Sequence, residues 1–397
     1  MLRQSGRKWI GLLPSALALA TASHALADGA AYPAALPAEP MPAVAHLPAA
    51  WPKSWVLIHD FNFNSIVDGR VVVVDTASAN QPLKGIVRAA QFGNALLSVK
   101  RGEILTAETF YSRLTRGTRT DAITFWNLTD LKPTGEVVLP GGKRQQSVTY
   151  PQLFQFTNDE KWALVANFTP AQSVSVVDLD GRAVLGEIDL PGCSQIYPTG
   201  TRGFSSFCAD GSLFSVALDA TGKVARSGTI RRVQDIDQQA LFSTPAWVGR
   251  TAWFVGQRGV LQGFDFSGDL AKMIPGAFTV GTAAGAMPEW RPSGWQVINA
   301  DAAGHLYVLM NPAGKEGSHK DGGTEVWVFD TAKKVRTARI ALKAQSIAVA
   351  VTREDIPHLV LARADGVIDV YDAVSGAFVR SLGATVAYNP VTITPVP

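Results

Sequence analysis

Seven short strand-like runs in this chain end on Asp or Asn, and that recurrence limits the fold more than any other feature. They are "RVVVVD" ending at Asp75, "AITFWN" at Asn127, "VSVVD" at Asp178, "FSVALD" at Asp219, "LQGFD" at Asp265, "EVWVFD" at Asp330 and "VIDVYD" at Asp372. Most are followed by a polar turn and a second short strand, as in "DGRAVLGEIDL" and "TAKKVRTARIAL". Most are preceded by another apolar run, such as "WALVANF" or "HLYVLM". Successive marks lie 52, 51, 41, 46, 65 and 42 residues apart. A unit of about 40–50 residues made of short strands matches a four-stranded propeller blade. Helical repeats would space apolar residues three and four apart, and these runs alternate or are continuous instead. A short polar side chain at the end of the third strand can bond its own backbone and start the turn.

The chain is therefore predicted to be all-β, a seven-bladed β-propeller of four-stranded antiparallel blades spanning 51–397. With 397 residues it is too long for one ordinary core, and repetition resolves the difficulty. An open array would leave two unpaired sheet edges. The first mark has a strand before it, around Trp55–Phe61, and one after it, around Leu83–Val87, but no good innermost strand. "NPVTITPV" (389–396) is a strand with no blade of its own. It is predicted to become the innermost strand of the first blade and close the ring.

The N-terminus has a basic start (Arg3, Arg7, Lys8), an apolar run from Ile10 to Ala20 and a small-residue site at Ala25-Leu26-Ala27. This reads as a cleavable secretory signal peptide over 1–27, too short and wrongly flanked for a membrane span. No later stretch is apolar for 18 residues. The formal charge of +3 comes from 36 basic and 33 acidic residues. Cleavage removes three basic residues, leaving 33 against 33. A near-neutral chain lacks the basic footprint of nucleic-acid binding and has little to draw it to an anionic membrane. Residues 28–50 are rich in Ala and Pro and read as an extended arm.

Two cysteines remain, Cys193 and Cys208. In an exported protein the pair reads as a disulfide, here between the first and second strands of blade four, worth roughly 3 kcal/mol in the chain-entropy model. There is no C-x-x-C, and no His lies between the two.

Signatures of catalysis are missing: no G-x-S-x-G, no H-E-x-x-H, no Walker lysine loop, no C-x-x-C-H. The acidic residues mostly mark turns. No residue is assigned a catalytic or metal-binding role. His59 reads as a packed or edge histidine. His305 and His358 open equivalent strands in two blades, which suggests a strand-end hydrogen bond. His319 lies in a long insertion, "GKEGSHKDGG", in blade six and reads as a solvated loop residue. Ten Trp and eighteen Phe read as blade-to-blade packing.

Several stretches go further. "TFYSRLTRGTRTDAITFWNLTDLKPTGEVVLP" (109–140), "VVDLDGRAV" (176–184), "GCSQIYPTGTRGFSSFCADGSL" (192–213), "WRPSGWQ" (290–296), "EGSHKDGGTEVWVFD" (316–330) and "DVYDAVSGAFVRSL" (369–382) resemble the heavy subunit of the quinoprotein amine dehydrogenases, the methylamine and aromatic amine dehydrogenase group. The cysteine spacing with "DGSL", and "WRPSGWQ", are the specific parts. The resemblance runs from about residue 55 to the C-terminus. It implies a periplasmic heterotetramer of two heavy and two light subunits. It places the cofactor, tryptophan tryptophylquinone, and the catalytic residues on the light subunit, with none in this chain. It implies oxidative deamination of a primary amine to aldehyde and ammonia, with electrons passed to a cupredoxin. It also implies a heavy-chain Phe lining the substrate channel, and the nearest match is Phe92 in "RAAQFGNALL". The residues flanking Phe92 depart from the family's pattern, which leaves substrate size open. The reading from the residues alone stays open beside it: a stand-alone periplasmic propeller that binds a ligand or protein without enzymatic role.

Overall fold

The computed structural model describes residues 45–397 apart from Asn64, Ile66, Val67, Gln91, 147–149, 282–288 and 384–385. The expected leader (1–27) and most of the arm (28–44) lie outside the described residues. Seven antiparallel sheets make seven blades, and no α-helix occurs among the described residues. Blade 1 runs Pro390–Pro395, Trp55–Asp60, Gly69–Asp75, Leu83–Ala89 from the inside outward. The C-terminal strand thus supplies the innermost position, with Ile58 opposite Ile393, and the ring closes as the sequence predicts. The other blades take their four strands in chain order, from Asn94–Ser98 in blade 2 to Phe378–Leu382 in blade 7.

The irregular spacing of 65 residues has a structural source. Blade 5 ends in two short pieces, Lys272–Met273 and Phe278–Thr279, both on Val260–Asp265. Blade 6 begins in two pieces, Arg291–Pro292 and Ile298–Ala300, both on His305–Asn311. Each break lets the backbone leave the sheet and return.

The continuous apolar runs follow from burial on both sheet faces. In "VVVV" (71–74), Val72 and Val74 pack with Ala348, Val360 and Val370 of blade 7. Val71 and Val73 pack with Ala95 and Ile104 of blade 2. Similar apolar clusters fill each of the other five blade junctions. Burying one Val or Leu is worth about 1.5–3 kcal/mol, so the interleaved layers dominate stability.

All seven marks do the same local work. Their side-chain oxygens accept from the N–H two residues on: Ala77, Thr129, Asp180, Thr221, Ser267, Ala332 and Val374, at 2.7–3.2 Å. Hydrogen bonds within the turns, chiefly from the Thr221 and Ser267 hydroxyls and from the N–H groups of Lys333 and Ser375, hold the carboxyls of Asp219, Asp265, Asp330 and Asp372 below the usual range. The turns lie on one side of the ring, the turn face. The loops between second and third strands, and those joining successive blades, emerge on the opposite side, the loop face.

Cys193 and Cys208 face each other directly across the first two strands of blade 4 and are bonded. Leu47, near the end of the arm, donates its N–H to Thr129 O at 2.7 Å and packs beside Trp51 and Leu131.

Candidate functional site

Phe92 sits on the loop face in the connection from blade 1 to blade 2. Gly93 N–H donates to Ala90 O at 2.9 Å, which closes a tight turn. Phe92 takes φ +58°, a left-handed backbone that suits Gly or Asn and costs a Phe of order 1 kcal/mol. Its ring meets Phe61 at 5.9 Å and Phe63 at 6.2 Å between centroids, and these two meet at 5.9 Å. Phe61 is buried and Phe63 is 55% exposed, so the trio forms a lip with one side in solvent.

Buried polar groups hold this turn from below. Ala90 N–H donates to Glu108 Oε1 at 2.7 Å, and Glu108 Oε2 accepts from Thr106 and Thr124 at 2.9 and 2.7 Å. Burial pushes the Glu108 carboxyl upward against these hydrogen bonds. Arg144, also buried, sends Nη1 and Nη2 to Phe92 O, each at 3.3 Å. Burial lowers its guanidinium to about 10, still cationic at neutral pH. Asn94 Oδ1 accepts from Arg144 Nη1 at 3.3 Å, and Asn94 Nδ2 donates to Tyr150 O at 2.8 Å.

Tyr150 stacks on Trp295 at 5.8 Å with an interplanar angle of 19°. Tyr150 precedes blade 3, and Trp295 lies in the gap of the blade 6 inner strand, so the pair bridges the ring's axis. The "WRPSGWQ" motif owes its glycine to this place. Gly294 has φ +145°, and a Cβ there would meet Ile347 O at 2.6 Å. The blade 6 insertion folds back onto the same strand: Ser293 Oγ donates to Ser318 O at 2.6 Å, and Gly294 N–H donates to His319 O at 2.9 Å. Lys320 stands 5.1 Å over the Trp295 ring. The His319 loop is thus tied down through its backbone.

The other histidines serve the scaffold. His305 Nδ1 lies 2.8 Å from Asp301 Oδ2, and His358 Nδ1 lies 3.0 Å from Thr76 Oγ1. Both are strand-end contacts of the kind the sequence suggests. His59 is buried inside Trp55–Asp60. A cleft of about 510 Å³ opens beside His305 between blades 6 and 7, but no Ser or Cys lines it. Among the described residues no group of three or more His, Cys, Asp or Glu is placed to hold a metal ion.

Exposed apolar side chains gather on the loop face of blades 1 to 3. Besides Phe63 they include Phe110, Leu114 (75%), Phe168 (57%) and Tyr388 (53%). Phe110 and Leu114 belong to the long hairpin of blade 2, Glu103–Arg113 with Arg116–Asn127. Sequence reasoning singled out Phe92 but missed Glu108, Arg144 and Tyr150. The break in alternation at Glu108, inside an apolar strand, is the signal that could have found the first.

A closed ring of seven four-stranded blades, with an aromatic lip and exposed apolar side chains on its loop face, defines the chain as a β-propeller protein. The chain belongs to the methylamine dehydrogenase heavy chain family, whose model matches residues 55–395. It is 29% identical over 292 residues to the methylamine dehydrogenase heavy chain of Methylorubrum extorquens, covering 72% of this chain and 70% of that one. It is 27% identical over 384 residues to that of Methylophilus methylotrophus, covering 94% and 91%. Among solved structures, a dihydro-heme d1 dehydrogenase superposes with a TM-score of 0.53 at 15% identity, covering 89% of this chain and 78% of that one; this likeness concerns the fold alone.

Proposed function

We propose that the chain is the heavy subunit of a periplasmic amine dehydrogenase in which two heavy and two light subunits assemble, and that it lines the path by which a primary amine reaches the light subunit. The observation that carries this reading is the family match over nearly the whole propeller. The cofactor expected in such a complex is a tryptophan tryptophylquinone of the light subunit. Here the ring-contact tryptophan pairs, Trp51–Trp55 and Trp290–Trp327, are packing pairs, with Trp51, Trp55 and Trp327 buried. When present, the quinone supplies the oxidising carbonyl for deamination to aldehyde and ammonia, and a cupredoxin takes the electrons.

This chain's own residues contribute shape and exclusion. The Phe61–Phe63–Phe92 lip is an apolar wall for the alkyl or aryl part of the amine. It has no hydrogen-bonding side-chain atom to hold water there. The exposed side chains of the blade 2 hairpin, with Phe168 and Tyr388, offer the light subunit an apolar seat around that lip. The leader over 1–27 supports export.

The test is co-expression with a small, cysteine-rich light chain. A co-purifying complex that reduces a dye only when a primary amine is added supports the reading. A chain that stays a monomer with such a partner present, or that turns over amine alone, sinks it. In the active complex, Phe92→Ala should change the relative kcat/KM for short and bulky amines about tenfold; an unchanged ratio removes Phe92 from the channel.

A further inference from the structure

We infer that Arg144 is a positioning residue for amine selectivity, setting where the Phe92 ring stands by gripping that residue's backbone carbonyl. The inference rests on the reading of Phe92 as a channel wall.

The grip is two-pronged: both terminal nitrogens of Arg144 reach the one Phe92 oxygen at 3.3 Å. Nη1 also spans to Asn94 Oδ1, so one guanidinium ties down both sides of Gly93. The guanidinium is itself fixed. Its Nε donates to Thr109 Oγ1 at 3.0 Å, and Thr109 donates to Asp121 Oδ1 at 2.7 Å. The Arg144 backbone N–H donates to Asp121 Oδ2 at 2.9 Å. Arg119 brackets the same carboxylate at 2.9 and 3.0 Å. Asp121 and Glu108 lie near enough to offset the guanidinium's charge, while its side-chain hydrogen bonds go to other groups. A buried cation whose side-chain donors go to the Phe92 loop carbonyl, the neighbouring Gln145 carbonyl, a side-chain amide and a hydroxyl is arranged to hold that loop.

The left-handed backbone at Phe92 supplies the second half of the argument. A Phe left to itself returns to negative φ, and that rotation carries the ring away from Phe61 and Phe63. Glu108 holds the turn at Ala90, two residues upstream, so the ring's own residue depends on Arg144.

The experiment uses the assembled heavy–light complex and compares methylamine with 2-phenylethylamine. Arg144→Lys keeps the charge and loses the two-pronged grip. We expect it to shift the ratio of kcat/KM for the two amines at least fivefold, in the same direction as Phe92→Ala, through KM with kcat nearly constant. Adding Arg144→Lys to Phe92→Ala should produce no further shift. Arg202→Lys, at an ion pair with Asp159 on the turn face, is the control for a merely structural arginine and should leave the ratio alone. If Arg144→Lys prevents assembly, Thr109→Val loosens the Nε anchor and should shift the ratio twofold or more in the same direction. A Phe92→Ala shift with an unchanged ratio in the Arg144 or Thr109 variant overturns the positioning role and leaves the channel reading standing. No shift in Phe92→Ala defeats the channel reading itself.

Discussion

The side-chain amide of Gln296 pairs with the backbone of Ile393 as a neighbouring strand would. Nε2 donates to Ile393 O at 3.0 Å, and Oε1 accepts from Ile393 N–H at 3.1 Å. The same Nε2 donates to Val349 O at 2.9 Å, so one side chain from blade 6 joins the innermost strands of blades 7 and 1.

Gln296→Ala leaves a buried N–H and two carbonyls without this partner. Each unsatisfied group costs about 1–3 kcal/mol, so we expect a loss of about 3 kcal/mol. A urea unfolding curve checks this; a midpoint within error of the parent would show that closure does not depend on the amide.

Asp60 secures the other end of the same seam. Its carboxylate accepts from Arg70 at 3.0 Å and from the N–H groups of Asn62, Tyr388 and Asn389 at 3.0, 2.8 and 2.8 Å. Asp60→Ala strands a partly buried guanidinium and three donors, with an expected cost of about 3–5 kcal/mol. Hydrogen exchange should rise first in residues 388–395; uniform exchange across all blades would argue against a local seam.

His59 links stability to pH. It is fully buried with no partner for Nε2, and burial lowers its pKa from 6.5 to about 4. The unfolded chain therefore takes up a proton near pH 6.5 while the folded chain stays neutral down to about 4. The neutral-pH stability contribution, about 3 kcal/mol, is present above 6.5 and lost as pH falls through that window. His59→Leu should lose less stability than the parent between pH 7 and pH 4.5; equal losses in thermal melts at the two pH values would refute the assignment.

The disulfide offers a fourth test. Replacing both Cys193 and Cys208 by Ser should cost about 2–4 kcal/mol. Its site in blade 4 is away from the lip at blades 1 and 2, so amine selectivity of the complex should not change. A changed selectivity would mean that strain travels between blades.

Much of the ring was legible because its signal is local. A strand that ends in Asp needs only its own turn, and all seven such marks fall where third strands end. The closing strand was legible by elimination, since Trp55–Asp60 lacked an inner neighbour. The broken strands of blades 5 and 6 were not, because pieces of two or three residues carry no periodicity. Arg144, Asp60 and Gln296 were missed for another reason. Arg144 sits in a polar stretch that reads as surface, and Asp60 and Gln296 are single polar residues beside apolar runs; each is held by partners distant in sequence, 97 residues away for Gln296 and Ile393. Burial of that kind belongs to the tertiary structure and leaves no local mark. Phe92 was singled out only through family resemblance; its left-handed backbone has no signature in "QFGN".

The pairing of Trp55–Asp60 with Pro390–Pro395 also imposes an order of events on biogenesis. The first module made is the last that can be finished, because its missing quarter is translated more than three hundred residues later. Until then its bare edge can recruit any extended peptide nearby. A ribosome stalled before residue 390 would release a product primed to oligomerise.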